Sequence, residues 1–391
     1  MDTNVTNRSR DTRHRTSIIF LLLILTVLPG VSGPAGTLAA AGSAESADAV
    51  SGEEPTYRTI TDGLGREVAI PAEPARIVTA GRAVMMIANV LWAFDDAPDR
   101  VIGVGRISQG RGNFLPRIDP GYDEIIELAA NVGPEQVASL APDLVILKSV
   151  VRSNLGEPLE RLGIPVIYVD LENPEQYQRD LAVLGAAVSE ETRAGELQRY
   201  YREAAAAVTE ATDALAPGER PETLLLYYRS TGGEVAFNVP PAAWIQTRIV
   251  EMAGGAPVWR EANPGGGWGT VNFEQIAAWD PEVIILVGYN GRAREVREQL
   301  QKEPRWQELR AVRDRRFHAM PLDHYSWDQP DVRWILGLQW TAAMLQSELF
   351  ADLDLEQATR DFYRILYRLD RAMFDEIVAP TLSGDFPGGS F

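Results

Sequence analysis

The sequence predicts an α/β fold of two lobes with mainly parallel sheets, joined by a long rigid helix and separated by a cleft. Three observations carry that prediction. Short aliphatic, β-rich runs alternate with helical segments in two groups, one from Tyr57 to Val169 and one from Thr223 to Met320, and strands separated by helices imply crossovers and parallel pairing. Between the groups runs an apolar stripe at helical spacing. A thirteen-residue stretch also recurs: Glu135–Leu147 reads EQVASLAPDLVIL and Glu274–Leu286 reads EQIAAWDPEVIIL, identical at six positions at a constant offset of 139.

The chain opens with Arg8, Arg10, Arg13 and Arg15, an apolar run from Ile18 to Leu28 and small residues through Ala41, the order of a secretory signal peptide over 1–41. The run has 11 residues, where a membrane-spanning helix needs about 20. Residues 42–56, poor in large apolar side chains, are expected to be a flexible leader. The first lobe, 57–172, has candidate strands at Arg76–Val78, Val101–Val104, Leu144–Leu147 and Val166–Val169, bounded by Gly, Pro or Asp. Linking helices occupy 173–218. There Leu197, Tyr201, Ala204, Val208, Ala211 and Leu215 recur at spacings of four and three, so one helix from about Glu190, capped by Ser189, is expected to brace the lobes. The second lobe, 219–375, has strands at Thr223–Tyr228, Val283–Val287 and Phe317–Met320, and 376–391 forms a tail. In both copies of the repeat a short helix with Glu near its start is stopped by Pro142 or Pro281, and a buried strand follows.

Apolar residues make up 45% of the 391 and charged residues 24%, an ordinary globular composition. The net charge of −18, about −20 without the first 33 residues, disfavours a general grip on nucleic acid or anionic lipid. The absence of cysteine removes disulfides, thiolate metal sites and cysteine nucleophiles, and with them the acceptor for a lipoprotein anchor. No phosphate loop, nucleophile elbow or HExxH motif occurs. Three histidines, one of them His14 in the signal segment, cannot build a histidine metal cage. No catalytic residue, resident metal or cofactor is expected.

Cationic and aromatic residues gather where the predicted strands end: Arg82, Arg106 and Lys148 in the first lobe, and Tyr228, Arg229, Tyr289 and Asn290 in the second. Ligands of open α/β sheets bind beyond the carboxyl ends of the strands. Arg beside aromatic rings suits a bulky anionic ligand with delocalised faces. Trp268, in GGGWGTVNFE, and Tyr325 and Trp327, in HYSWDQPDVR, are further cleft candidates. The alternatives are that Trp268 plugs a hinge, that Trp327 packs under the following helix, and that Asp328 or Asp331 caps that helix. A secreted hydrolase would have to use Asp323, His324 and Asp328 as acid–base groups, with no activated nucleophile beside them.

The opening TITDGLGREVAIPAEPARIV, the paired repeats, the AGG of Ala253 to Gly255 and the LGLQW of Leu336 to Trp340 resemble the substrate-binding proteins of iron-siderophore, haem and corrinoid ABC importers, over about Tyr57 to Asp370. The resemblance implies two α/β lobes on a rigid helix with the ligand between them and no catalysis. It implies one Glu on each lobe docking to arginines of an inner-membrane permease, and by motif position these are Glu135 and Glu274. The expected protein is a freely diffusing, monomeric periplasmic receptor. Its ligand is a metal chelate: an iron–siderophore complex first, haem or a corrinoid as the alternatives, and no nucleic acid.

Overall fold

A short antiparallel hairpin, β1 (Tyr57–Thr61) and β2 (Glu67–Pro71), precedes the first lobe. Buried Asp62 organises its turn, accepting from the Leu64 and Arg66 backbone N–H groups at 3.0 Å and from the Arg66 guanidinium at 2.8 Å. The computed structural model describes residues 56–231 and 234–387. The signal peptide expected at 1–41 therefore lies outside the described residues, as does all of the expected leader except Thr56.

The first lobe is a wholly parallel sheet of β3 (Ile77–Thr79), β4 (Val101–Gly105), β5 (Ile126–Leu128), β6 (Leu144–Lys148) and β7 (Val166–Val169), in the order β5-β4-β3-β6-β7. Helices cover such a sheet on both faces, which is why β6 and β7 read as unbroken aliphatic runs and are buried throughout. The second sheet contains β8 (Glu222–Thr231), β9 (Glu234–Val239), β10 (Ala256–Pro257), β11 (Gly269–Val271), β12 (Val283–Val287) and β13 (Phe317–Ala319). Its order is β11-β9-β8-β12-β13, with β10 also beside β8. Here the expectation of parallel pairing holds for β8, β10, β12 and β13, whereas β9 runs antiparallel to β8 and β11 antiparallel to β9. The sheet is mixed because β8 does not end at Tyr228. It continues to Thr231, and β9 pairs antiparallel along it from Glu234.

The two repeat copies form the same unit. Helix Pro134–Ala138 leads into β6 and helix Phe273–Trp279 into β12. Ala141 and Asp280, at the repeat offset, both adopt left-handed backbone (φ 47° and 36°) just before Pro142 and Pro281. The next residue ties each unit to the neighbouring strand. Asp143 accepts from the Ala75 and Arg76 N–H groups at 2.8 and 2.9 Å, and Glu282 from the Glu222 N–H at 2.9 Å.

Two packed helices, Pro174–Val188 and Glu191–Thr212, link the lobes. The second has 22 residues and runs unbroken through Gly195, a length of about 33 Å at ~1.5 Å per residue. Ser189 is not its cap. With φ 58° it ends the preceding helix, and its hydroxyl donates to the Ala72 carbonyl at 2.9 Å and accepts from Arg58 at 2.7 Å.

The lobes meet on a buried charge cluster. Arg333, fully buried, bonds Asp323 and Asp331 at 2.8 Å each, and Asn89 of helix Val84–Leu91 donates to Asp331 at 2.5 Å. Tyr201 of the brace donates to the Val332 carbonyl at 2.7 Å. Helix Leu355–Tyr367, expected within the second lobe, contacts the first: the Ile365 carbonyl accepts from Arg193 at 2.5 Å, the Tyr367 hydroxyl donates to the Asn89 carbonyl at 3.1 Å, and Arg368, just beyond the helix, pairs with Asp95. The loop after β4 also crosses to the second lobe. Gly110, at φ 62°, lies against the His324 carbonyl where a Cβ would collide, and Arg111 donates to the Thr381 carbonyl at 2.8 Å and the Ser383 hydroxyl at 3.0 Å. The described part of the 376–391 tail is docked: Asp385 accepts from the Ala319 N–H at 2.8 Å and pairs with Arg297 at 3.1 Å. Among the described residues no helix is long and apolar enough to cross a membrane.

Candidate functional site

A cavity of about 340 Å³ lies beyond the carboxyl ends of both sheets. From the first lobe Arg82, Ala83 and Met86 follow β3, Gln109 follows β4, Val150 follows β6 and Glu172 follows β7. From the second, Trp244 and Gln246 follow β9, Gly266 and Trp268 lead into β11, Tyr289 follows β12, and Gln329 and Pro330 follow β13. Strand direction sets this arrangement for the loops after β3, β4, β6, β7, β12 and β13, because parallel strands deliver their following loops to one edge, whereas Trp244, Gln246, Gly266 and Trp268 come from the segments after antiparallel β9 and before β11.

Strand register builds the aromatic wall. Val287 pairs with Tyr227, Asn238 also pairs with Tyr227, and Gly269 pairs with Val239. Tyr289 thereby stands two residues beyond the level of Tyr227 and Trp268 two residues before it, with Tyr227 between them. The Tyr227 ring is 4.7 Å from Tyr289 and 4.9 Å from Trp268, and Trp244 stands edge-on to Trp268 at 5.7 Å. Such tilted and edge-on rings attract through their quadrupoles and leave other faces free.

A hydrogen-bonded carboxylate backs this wall. Fully buried Asp328 accepts from the Tyr289 hydroxyl at 2.8 Å, the Ser326 hydroxyl at 2.5 Å and the Gln246 amide at 3.4 Å. Burial pushes its carboxyl above the ordinary range, and these donors pull the other way. Burial, and then the Asp328 charge, push the Tyr289 phenol well above its usual value, so it stays a donor.

The first-lobe wall carries charge instead. Arg82 is exposed and forms no ion pair with any described residue. Lys148, 2% exposed, lies behind the wall, with its Nζ on Glu172 and 3.2 Å from the Met86 sulfur.

The ten strand-end candidates therefore divide. Arg82, Trp268 and Tyr289 line the cavity, and Lys148 stands behind two lining residues, Glu172 and Met86. Arg106 is exposed and paired with Glu127 at 2.8 Å, away from the lining. Tyr228 and Arg229 are strand residues, not loop residues, and alternation turns Tyr228 to the face opposite Tyr227, with its ring 6.1 Å from Phe237. Asn290 accepts from the Arg292 N–H at 3.1 Å in a turn outside the lining. Tyr325 and Trp327 are core residues. Tyr325 accepts from the Phe114 N–H at 3.3 Å beneath the Arg333 guanidinium, and the Trp327 carbonyl fills the space beside Gly337 where a Cβ would sit. HYSWDQPDVR looks like a surface loop because it is polar, but its charged side chains are bonded inside the protein: Arg333 to Asp331 and Asp323, and Asp328 to Ser326, Tyr289 and Gln246.

Sequence reasoning missed Tyr227, Trp244, Gln246 and Gln329. The Gly232-Gly233 hairpin signal could have corrected the strand parity and found Tyr227. Asp323 and Asp328 are committed to Arg333 and to the second wall respectively. His324 is buried with both ring nitrogens unpartnered, and burial lowers its pKa to about 4. Among the described residues no group of three or more histidine or carboxylate side chains is placed to hold a metal ion. Glu135 and Glu274 are exposed in the first turns of their two short helices, away from the cavity lining.

The chain is similar to the molybdate-binding protein MolA of Haemophilus influenzae, at 23% identity over 332 residues that cover 80% of this chain and 91% of the relative. Its fold is similar to that of a periplasmic solute binding protein from Veillonella parvula, with a TM-score of 0.66 and 23% identity over 83% of this chain and 97% of the other. It is similar too to the TroA-like periplasmic binding protein FepB from Veillonella parvula, with a TM-score of 0.64 and 18% identity over 85% and 99%. These relatives are binding proteins, and the structural likenesses establish the two-lobed α/β architecture. Residues 77–323, well over half of the chain, match the family model described as periplasmic binding protein, and the chain belongs to that family of solute receptors.

Proposed function

We propose that this protein is an extracytoplasmic receptor that captures a compact anionic metal chelate, of the iron–siderophore type, and delivers it to an ABC permease. One observation carries the reading: an unpaired cation, Arg82, and three aromatic rings, Trp244, Trp268 and Tyr289, line the same cavity, the last two rings packed on Tyr227. Anionic donor oxygens of a chelate suit the guanidinium, and its flat organic arms suit the rings. About 340 Å³ is near the lower end of the ~300–1,000 Å³ usual for ligand sites, which favours a small chelate over a whole corrinoid. The name of the relative MolA supports a second reading, a bare oxyanion such as molybdate. Against it stands the aromatic area, which an oxyanion leaves unused. Export to the periplasm is supported by the basic and apolar order of residues 1–41 and by the family. Permease contact is assigned to Glu135 and Glu274, and the receptor acts as a monomer.

The test is quenching of tryptophan fluorescence by a ferric tris-catecholate, haemin, cyanocobalamin and molybdate, at low and high salt. The ferric chelate should bind most tightly, and Arg82→Ala should weaken it about tenfold, the loss of one charge-assisted contact. Tightest binding of cyanocobalamin or molybdate, or indifference of the ferric chelate to Arg82→Ala, overturns the reading.

A further inference from the structure

Two amide side chains in the cavity wall have unfilled hydrogen-bonding capacity. Gln246 and Gln329 are 3% and 4% exposed, and the Oε1 of each has no partner. For Gln246 the orientation follows from Asp328. An ionised carboxylate only accepts, and Asp328 already takes the hydroxyl hydrogens of Ser326 and Tyr289, so Gln246 turns its NH2 toward it and keeps its oxygen for another group. Gln329 follows Asp328 directly, held by its backbone N–H on the Ser326 carbonyl at 3.3 Å. Buried acceptors without donors are uncommon and unfavourable. Two of them on residues that line the same cavity mark a site completed by its ligand.

Resting on the reading of this cavity as the receptor's ligand site, we infer that the ligand brings hydrogen-bond donors, amide N–H or hydroxyl groups, to Gln246 and Gln329. The wall therefore selects a chelate with N–H or O–H groups on its arms and rejects an anion that can only accept. The two walls then read different parts of one ligand: Arg82 its negative charge, and the glutamines its donor hydrogens.

Matched probes test this. A ferric tris-catecholamide chelate and its N-methylated amide counterpart differ in donor hydrogens at equal charge, and molybdate supplies the acceptor-only case. Wild-type protein should bind the N–H chelate about tenfold or more tightly than the N-methyl form, since a site built around a donor discriminates against its loss. Gln246→Met and Gln329→Met should each shrink that ratio toward one. Asp328→Asn keeps the shape but supplies a donor in place of the acceptor, frees Gln246 to turn, and should shrink the ratio too. It serves if either glutamine variant fails to fold. Equal binding of both chelates to wild type, with quenching that Trp268→Phe diminishes, overturns this inference and leaves the receptor reading intact. Molybdate tighter than either chelate, or no quenching by any probe, overturns both.

Discussion

The two copies of the helix–strand repeat agree where they build the fold and differ where they meet the cavity. Ala141 and Asp280 share left-handed backbone, Pro142 and Pro281 share the stop, and Asp143 and Glu282 each hold the start of the adjacent strand. Past the strand the copies diverge. Lys148-Ser149-Val150 stands in one and Val287-Gly288-Tyr289 in the other, so that Val150 and Tyr289, at equivalent positions, line the cavity from opposite walls. The lesson is that a lobe specialises in a few residues beyond its strand ends. One wall became charged and the other aromatic without disturbing the shared frame.

Breaking the buried charge cluster where the lobes meet should have the largest effect. Arg333→Leu leaves Asp323 and Asp331 buried without their cation. The expected loss is about 3–5 kcal/mol, the range for breaking a buried ion pair by removing one partner. Denaturant titration measures it, and a loss below about 1 kcal/mol would show that the cluster is hydrated and does not hold the lobes together.

The next effect is one of pH, on the same segment. His324 has a folded pKa of about 4 against an ordinary 6.5, because burial disfavours its charged form. The folded protein therefore binds fewer protons than the unfolded chain between those values. Stability is full above about pH 6.5, declines as pH falls toward 4 and levels off below, a contribution of order 3 kcal/mol. His318, also held near pH 4 by burial, adds in the same window. Comparing unfolding free energies at pH 7 and pH 5 for wild type and His324→Phe checks this. The variant should lose less on acidification, and an identical loss would place the acid sensitivity elsewhere.

On the charged wall, Glu172→Ala strands the buried ammonium of Lys148. It should cost about 2–3 kcal/mol, less than a fully buried pair because Glu172 is half-exposed. Val150→Ala, at an exposed position of the same wall, should change stability by under about 0.5 kcal/mol. Equal effects would mean that Lys148 finds another partner. On the aromatic wall, Trp268→Ala should leave stability within about 1 kcal/mol. It should weaken the ferric chelate roughly tenfold through lost ring contact, as read by isothermal titration.

These contrasts mark what the sequence could disclose. The parallel strands were legible because buried aliphatic runs such as Leu144–Lys148 and Val283–Val287 stand between Gly, Pro and Asp breakers. β5, β10 and β11, two or three residues each, are too short to leave a period. At the site, Arg82, Trp268 and Tyr289 were legible from their place after or beside strands. Tyr227 was not, since one residue of strand parity separates it from Tyr228. Gln246 and Gln329 carry no signal in sequence, because an amide becomes informative only once its buried surroundings are known. HYSWDQPDVR misled in the opposite direction: Asp323, Asp331 and Arg333 satisfy one another internally, and pairing across ten residues cannot be told from solvation in a one-dimensional pattern.

The smallest effect on the purified protein is expected where the two copies remain alike. Glu135 and Glu274 are exposed, stand in equivalent first turns and lie off the cavity, so the double change Glu135→Ala and Glu274→Ala should leave both stability and chelate affinity nearly unaltered. Exposed ion pairs contribute about 0.2–1 kcal/mol each, and neither residue forms one within the described chain. The proposed docking role requires the two carboxylates, one on each lobe, to act together. Removing one should reduce uptake modestly, whereas removing both should abolish it. Transport into right-side-out or reconstituted vesicles, measured beside titration of the purified double variant, separates the outcomes. Lost uptake with intact binding assigns the pair to docking. Full uptake by the double variant would mean that the likeness of the two copies serves folding alone.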